Sequence, residues 1–196
     1  MEAGAGGLAE LRTSELLDRV AARTPAPGGG TVAALSCSLA ASLLQMSAAF
    51  DETPMGAASG VRADALRGRA LELAERELGS YQPVLEALAL PIADPSREER
   101  LAAARSAAST APLAIASVAA QLAGIAAEVM TSTSEHVIGD ALVAAELAEG
   151  ACRAATRLVE VNLAGVTDDP RLSEAAALVS SAAESRAEAL HKAADG

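Results

Sequence analysis

Aromatic side chains are almost missing from this 196-residue chain, which has one Phe, Phe50, one Tyr, Tyr81, and no Trp. A core of stacked rings is excluded, so the 51% hydrophobic content has to pack as Ala, Leu, Val and Ile. Ala and Leu are the best apolar helix formers, whereas strands favour β-branched and aromatic residues, and the composition therefore predicts an all-α chain. Lysine is as scarce: Lys192 is the sole one. With a net charge of −11, the chain lacks the clustered cations that a nucleic-acid backbone requires. Its basic residues are arginines in small groups, such as Arg62, Arg67, Arg69 and Arg76, so any anionic ligand has to be met locally.

Cysteine is limited to Cys37 and Cys152, far apart in apolar runs and without a C-x-x-C or Cys/His spacing. That pattern predicts no disulfide framework and no metal site, and it fits a reduced cytoplasmic protein with two small buried thiols. Met1 to Gly7 has neither the basic start nor the apolar stretch of a secretion signal, and residues 1–10 read as a flexible lead-in to a single domain spanning 11–196. Residues 31–50 are apolar enough to raise the question of a membrane span. Ser36, Ser38, Ser42, Gln45 and Ser47 dilute that run and no basic flank follows it, so a helix buried by protein is expected, with no membrane partner.

Six helices are expected. A short amphipathic one opens at Ser14 and ends near Arg23. The segment Thr24-Pro25-Ala26-Pro27-Gly28-Gly29-Gly30 then bars any helix, because two prolines fix extended backbone and three glycines permit close approach. Thr31 is positioned to cap the apolar helix behind it. Residues 51–60, with Pro54, Gly56 and Gly60, read as a loop. A long helix follows over 62–90, another over 96–130 that Pro112 should kink or interrupt, then a polar connection at 131–135, a helix to residue 163 and a last one over 171–194. The expected architecture is an antiparallel helical bundle.

Polar residues break two apolar stripes. On the helix after the polar connection, Asp140 and Asn162 lie on the inner face with Ala144, Leu147, Ala151, Ala155 and Leu158. A carboxylate there needs a donor, solvent or a ligand, or else a raised pKa. The bland alternatives are a helix-start acid for Asp140 and an amide satisfying a chain crossing for Asn162. Twenty-two residues of helix separate the two by roughly 33 Å, too far to share a small site within one subunit. On the third helix, Glu77 interrupts the stripe Leu66, Ala70, Leu73, Tyr81, Val84 and Leu88, and Tyr81 lies one turn away on the same face. Pro83 deprives the Gly79 carbonyl of its helical partner, so a bent helix carrying an acid and a phenol is one reading and a solvated edge residue the other. His136 lies one turn before Asp140, as a proton-transfer partner or as part of the helix start; His191 reads as a surface residue.

The run from Thr24 through Gly30 to Thr31-Val32-Ala33-Ala34-Leu35 resembles the P-x-P-G-G-G-S-V-A-A-L signature of the cyclodeaminase/cyclohydrolase family, the C-terminal half of formiminotransferase-cyclodeaminase and its stand-alone bacterial relatives. Tyr81 to Leu90-Pro91 is similar to the family's aromatic-to-Leu-Pro stretch, and Asp140 to Asn162-Leu163 to its S-D to I-N-L segment. The resemblance implies a helical homodimer with a folate pocket between subunits, lined by Pro27, Gly28, Gly29, Gly30, Thr31 and Asn162. It implies no prosthetic group. The substrate would be a tetrahydrofolate derivative, either the methenyl form, which is hydrolysed, or the formimino form, which loses ammonia. Glu77 and Asp140 would act as acid/base or orienting groups, supported by Tyr81 and His136. This chain departs from the pattern in carrying Glu77 for the family's Asp, Asp51-Glu52-Thr53-Pro54-Met55 for its lysine-rich turn, and Leu158 for an Asn. A ring-opening or ring-closing enzyme for a non-folate substrate and a non-catalytic helical scaffold are the alternative readings.

Overall fold

The computed structural model describes residues 7–131 and 134–195. Among them are eight α-helices and no strand: α1 (Thr13–Ala21), α2 (Gly29–Ala48), α3 (Pro54–Ser80), α4 (Gln82–Ala89), α5 (Arg97–Ala108), α6 (Thr110–Val129), α7 (Ile138–Asn162) and α8 (Pro170–Asp195), with single 3-10 turns at Leu8–Glu10 and Glu135–Val137. The all-α bundle expected from composition is what forms.

The count exceeds six because two of the expected helices are broken just ahead of a proline. A proline ring clashes with the carbonyl four residues back and has no N–H to offer it, but it is tolerated within the first turn of a helix. Thus α3 ends at Ser80 and α4 starts at Gln82, with Pro83 second in its first turn; α5 ends at Ala108 and α6 starts at Thr110, with Pro112 third. Tyr81 and Ser109 are the junctions.

Three expected boundaries are corrected. Residues 54–60 are helix rather than loop: Thr53 caps α3, its Oγ1 accepting from Gly56 N at 3.2 Å, and Pro54 takes the first helical position. Gly56 is required there, since a Cβ would lie 2.5 Å from the Asp51 carbonyl oxygen. Likewise α2 begins at Gly29 with Gly28 as its cap, so Thr31 is no cap; it is buried in the first turn, and its Oγ1 has no hydrogen-bond partner among the described residues. The flexible lead-in expected through residue 10 also ends earlier, because Leu8 is buried and its N–H bonds to the Glu75 carboxylate. Residues 1–6 and part of the 131–135 connection lie outside the described residues.

At the centre, α2 packs against α3, α6 and α7, and α6 against α7 and α8. The contacts are made mostly of alanine: Ala33, Ala34, Ala40 and Ala41 on α2, Ala116, Ala119, Ala123 and Ala126 on α6, and Ala141, Ala144, Ala145 and Ala148 on α7 are buried. Cys37 and Cys152 belong to the same cluster, where burial pushes their thiols up to about 12 and about 11. Side-chain bonds fix the directions. Cys152 Sγ donates to Ala116 O and Asn162 Nδ2 to Ala108 O, so α6 and α7 are antiparallel, and Thr156 Oγ1 donating to Ala175 O together with the Glu146–Arg186 pair at 2.9 Å shows the same for α7 and α8. The stretches long and apolar enough to cross a membrane are α2 and α5–α6, and more than half of each is buried against other helices. Filling the alanine core should be costly: replacing the fully buried Ala144 on α7, Ala144→Leu, is expected to lower stability by about 1–3 kcal/mol, read as a reduced denaturation midpoint in urea, and an unchanged midpoint would mean the core has room.

Candidate functional site

Three chain interruptions converge on one cavity. The Pro/Gly segment before α2 contributes Pro25 and Gly28 to Gly30, the α3–α4 break contributes Glu77, Ser80 and Tyr81, and the α5–α6 break contributes Ala108 and Pro112. The C-terminal end of α7 closes it with Leu158, Val161 and Asn162, around a volume of about 270 Å³. The peptide bond between Ala26 and Pro27 is cis, and Gly28 is extended, at φ −127° and ψ −160°.

Glu77 is set against Gly30. A Cβ on residue 30 would stand 1.8 Å from Glu77 Oε2, so only glycine leaves room for the carboxylate on the first turn of α2. Glu77 Oε1 is buried and accepts no hydrogen bond from the described residues. Burial accordingly raises the Glu77 pKa above the usual carboxylate value, while the Ser80 hydroxyl opposes part of that shift. The Ser80 Oγ also donates to the Glu77 carbonyl at 3.2 Å, fixing the last turn of α3. Tyr81 sits at the break itself, partly open to solvent.

Asn162 answers a local need. Pro112 has no N–H to give the Ala108 carbonyl, and the Asn162 side-chain Nδ2 donates to that oxygen instead, at 3.0 Å. Beside it, Arg171 donates to the Ser106 carbonyl at 2.7 Å and the Ser106 hydroxyl at 2.8 Å while pairing with Asp169, whose carboxyl that guanidinium holds down at about 2. The α5–α6 break is thus tied to both α7 and α8.

Of the residues singled out by sequence, Gly28, Gly29, Gly30, Glu77, Tyr81 and Asn162 line this cavity together. Pro27 and Thr31 flank the lining residues without joining them. Asp140 and His136 do not join them either. Asp140 is in the first turn of α7, at the end away from Asn162, and His136 is exposed on the 3-10 turn before it, with its N–H on Ser134 Oγ at 3.4 Å. No hydrogen bond links His136 to Asp140 among the described residues. Not singled out from sequence as site residues were Pro25, Ser80, Ala108, Pro112, Leu158 and Val161; the prolines four residues after Gly79 and Ala108 were the available signal for two of the walls. Among the described residues no three His, Cys, Asp or Glu side chains gather as a metal site would need.

Glu77 should make stability depend on pH in a defined direction. Its folded pKa lies above the ordinary 4.5, so its favourable contribution is complete below about pH 4.5 and is lost as pH rises through the raised value. Glu77→Gln, which never ionises, is expected to gain in melting temperature relative to wild type between pH 4 and pH 8; a difference that stays constant across that range would show the carboxylate to be freely solvated.

Comparison with solved structures finds the fold in formiminotetrahydrofolate cyclodeaminase from Thermotoga maritima, at a TM-score of 0.80, covering 94% of each chain at 21% identity. No curated protein sequence matches the chain. Residues 12–181, which hold the whole Pro/Gly segment, Glu77, Tyr81 and Asn162, match the family described as formiminotransferase-cyclodeaminase. The match takes in most of the chain, and the protein belongs to the formiminotransferase-cyclodeaminase family.

Proposed function

We propose that the protein is a soluble, cytoplasmic enzyme of folate one-carbon chemistry, acting at the Glu77 cavity on methenyltetrahydrofolate by hydrolysis or on formiminotetrahydrofolate by release of ammonia. The observation that carries this is the desolvated Glu77 carboxylate held against Gly30 with Oε1 unpartnered. Both reactions move a proton at a carbon–nitrogen centre. In ring closure, the departing amino group takes up a proton and leaves as ammonia; in hydrolysis, the attacking water gives one up. A carboxyl whose pKa is raised toward neutrality exchanges a proton in either direction more readily near pH 7 than an ordinary one. Tyr81 and Asn162 supply polar groups to the same cavity, and the first turn of α2 supplies backbone N–H groups without intrahelical partners. No prosthetic group is required.

The working unit is a homodimer in this reading. Along α2, Val32, Leu39 and Met46 are exposed at intervals of seven residues, on a 20-residue helix without a single charge, and Phe50 is exposed in the turn just after it. Gly30 shares the cavity with Leu158 and Asn162 while Cys37 lies near Cys152, so α2 and α7 run antiparallel and the far end of α2 lies toward Asp140. Two copies pairing antiparallel along α2 would bring the Asp140 end of one subunit to the Gly-rich turn of the other, giving Asp140 and His136 their role. Sedimentation equilibrium is expected to give a dimer for the wild type and a monomer for Leu39→Glu/Met46→Glu; a monomeric wild type would end the dimer reading.

A second reading keeps Glu77 but changes the substrate to a less anionic ring. It is favoured by the Asp51 turn, where Asp51 Oδ1 accepts from Thr53 N at 2.9 Å and Gly56 packs on the same residue, so a structural corner stands where the family's lysine-rich turn is expected. Calorimetric titration with 5-formyltetrahydrofolate separates the two, since micromolar binding removes this reading.

Turnover is the direct test. Purified protein should deplete methenyltetrahydrofolate, followed by absorbance, or release ammonia from formiminotetrahydrofolate; no rate above buffer with either would overturn the assignment. Glu77→Gln is expected to lower kcat by roughly 10²- to 10⁴-fold with unchanged helicity. Gly30→Ala should do nearly as much without unfolding the protein, because the group in its way is the movable end of Glu77.

A further inference from the structure

The Asn162 amide is held in one orientation by its bond to Ala108, and this fixes what it offers a ligand. The carbonyl of Ala108 faces a proline four residues on, so no helical N–H reaches it, and only the NH₂ half of the Asn162 amide satisfies it; the reversed amide would set two oxygens against each other. The assignment of nitrogen and oxygen is therefore forced by the network. Asn162 lines the Glu77 cavity, is half-buried, and its Oδ1 makes no hydrogen bond with the described residues.

We infer that Pro112 locks Asn162 as a hydrogen-bond acceptor, so that the cavity selects a substrate ring presenting an N–H edge beside the centre Glu77 acts on. The inference rests on the assignment of a pterin-type substrate, whose ring carries N–H donors, and adds the residue pair that recognises them. An acceptor that the bound ring covers discriminates against a ring lacking the donor, because it is then left without a partner in the complex. Asn162 is a specificity residue in this scheme and Pro112 a positioning residue acting through it. The rest of the α7 wall adds no polar contact, since Leu158 and Val161 are apolar.

The lock is tested first by stability, independently of any ligand. Asn162→Leu should lower the denaturation midpoint in the wild-type background, where it orphans the Ala108 carbonyl, and much less in Pro112→Ala, where residue 112 regains an N–H for that carbonyl. Equal losses in both backgrounds would overturn the lock. Recognition is tested by calorimetry with 5-formyltetrahydrofolate, comparing Pro112→Ala alone with Pro112→Ala/Asn162→Asp and Pro112→Ala/Asn162→Leu. The Asp variant keeps an acceptor at this position and is expected to stay within about threefold of Pro112→Ala, whereas the Leu variant loses roughly five- to tenfold, the worth of one hydrogen bond. Equal binding by the Asp and Leu variants would overturn the acceptor role while leaving the proposed function intact. If wild type binds no folate at all, the proposed function and the ligand half of this inference both fail, and the stability cycle still decides the lock.

Discussion

A proline cannot donate a backbone hydrogen bond, and it forbids a carbonyl four residues before it from being used in the ordinary helical way. In this protein that single constraint sets where the site is. Pro83 ends α3 at Ser80, Pro112 separates α5 from α6 at Ser109, and the prolines of the segment before α2 keep residues 24–28 out of any helix. All three interruptions open onto the same cavity. Small side chains let the axes of alanine-faced helices pack close together. The breaks supply the hollow and, through the unpaired carbonyl of Ala108, also the polar bond that ties α7 to its rim.

The second constraint is the close approach of α2 and α3. Glycine at position 30 admits the Glu77 carboxylate to a place where any larger residue would exclude it, and that place is dry enough to raise its pKa. A half-buried acid with one oxygen unpaired works against folding at neutral pH, whereas the surrounding alanine seams work for it. The compensation is spatially divided: stability resides in the α2–α6–α7 core, and the unfavourable group sits at its edge. This division is a common one where a group must exchange protons.

Much of this was legible in the sequence. The absence of aromatics and the abundance of alanine announced helices; the break in the Leu66 to Leu88 stripe marked Glu77 and Tyr81; the Pro/Gly segment marked the turn. Residues 54–60 were misread because Pro54, Gly56 and Gly60 look like a loop one at a time. In the structure Pro54 opens a helix, where it is tolerated, and Gly56 is a helical residue that yields space to Asp51. Thr31 was misread as a cap because glycines seldom begin helices, yet Gly28 fills the cap position here. Asp140 and Asn162 lie on one apolar stripe, too far apart along it to share a small site, and the structure decides which of them meets the cavity: Asn162 does, and Asp140 lies at the opposite end of α7.

The sequence by itself determined the helical class, the alanine-built core, the buried thiols and the positions of the helix breaks, because propensity and proline chemistry act within a few residues. Only the tertiary structure decided that three distant breaks meet, that Glu77 lies over Gly30 with its Oε1 unpaired, and that Asn162 serves the carbonyl Pro112 leaves open. Those facts depend on how antiparallel helices are set against one another across 47 and 54 positions of chain, and no local pattern encodes such a register.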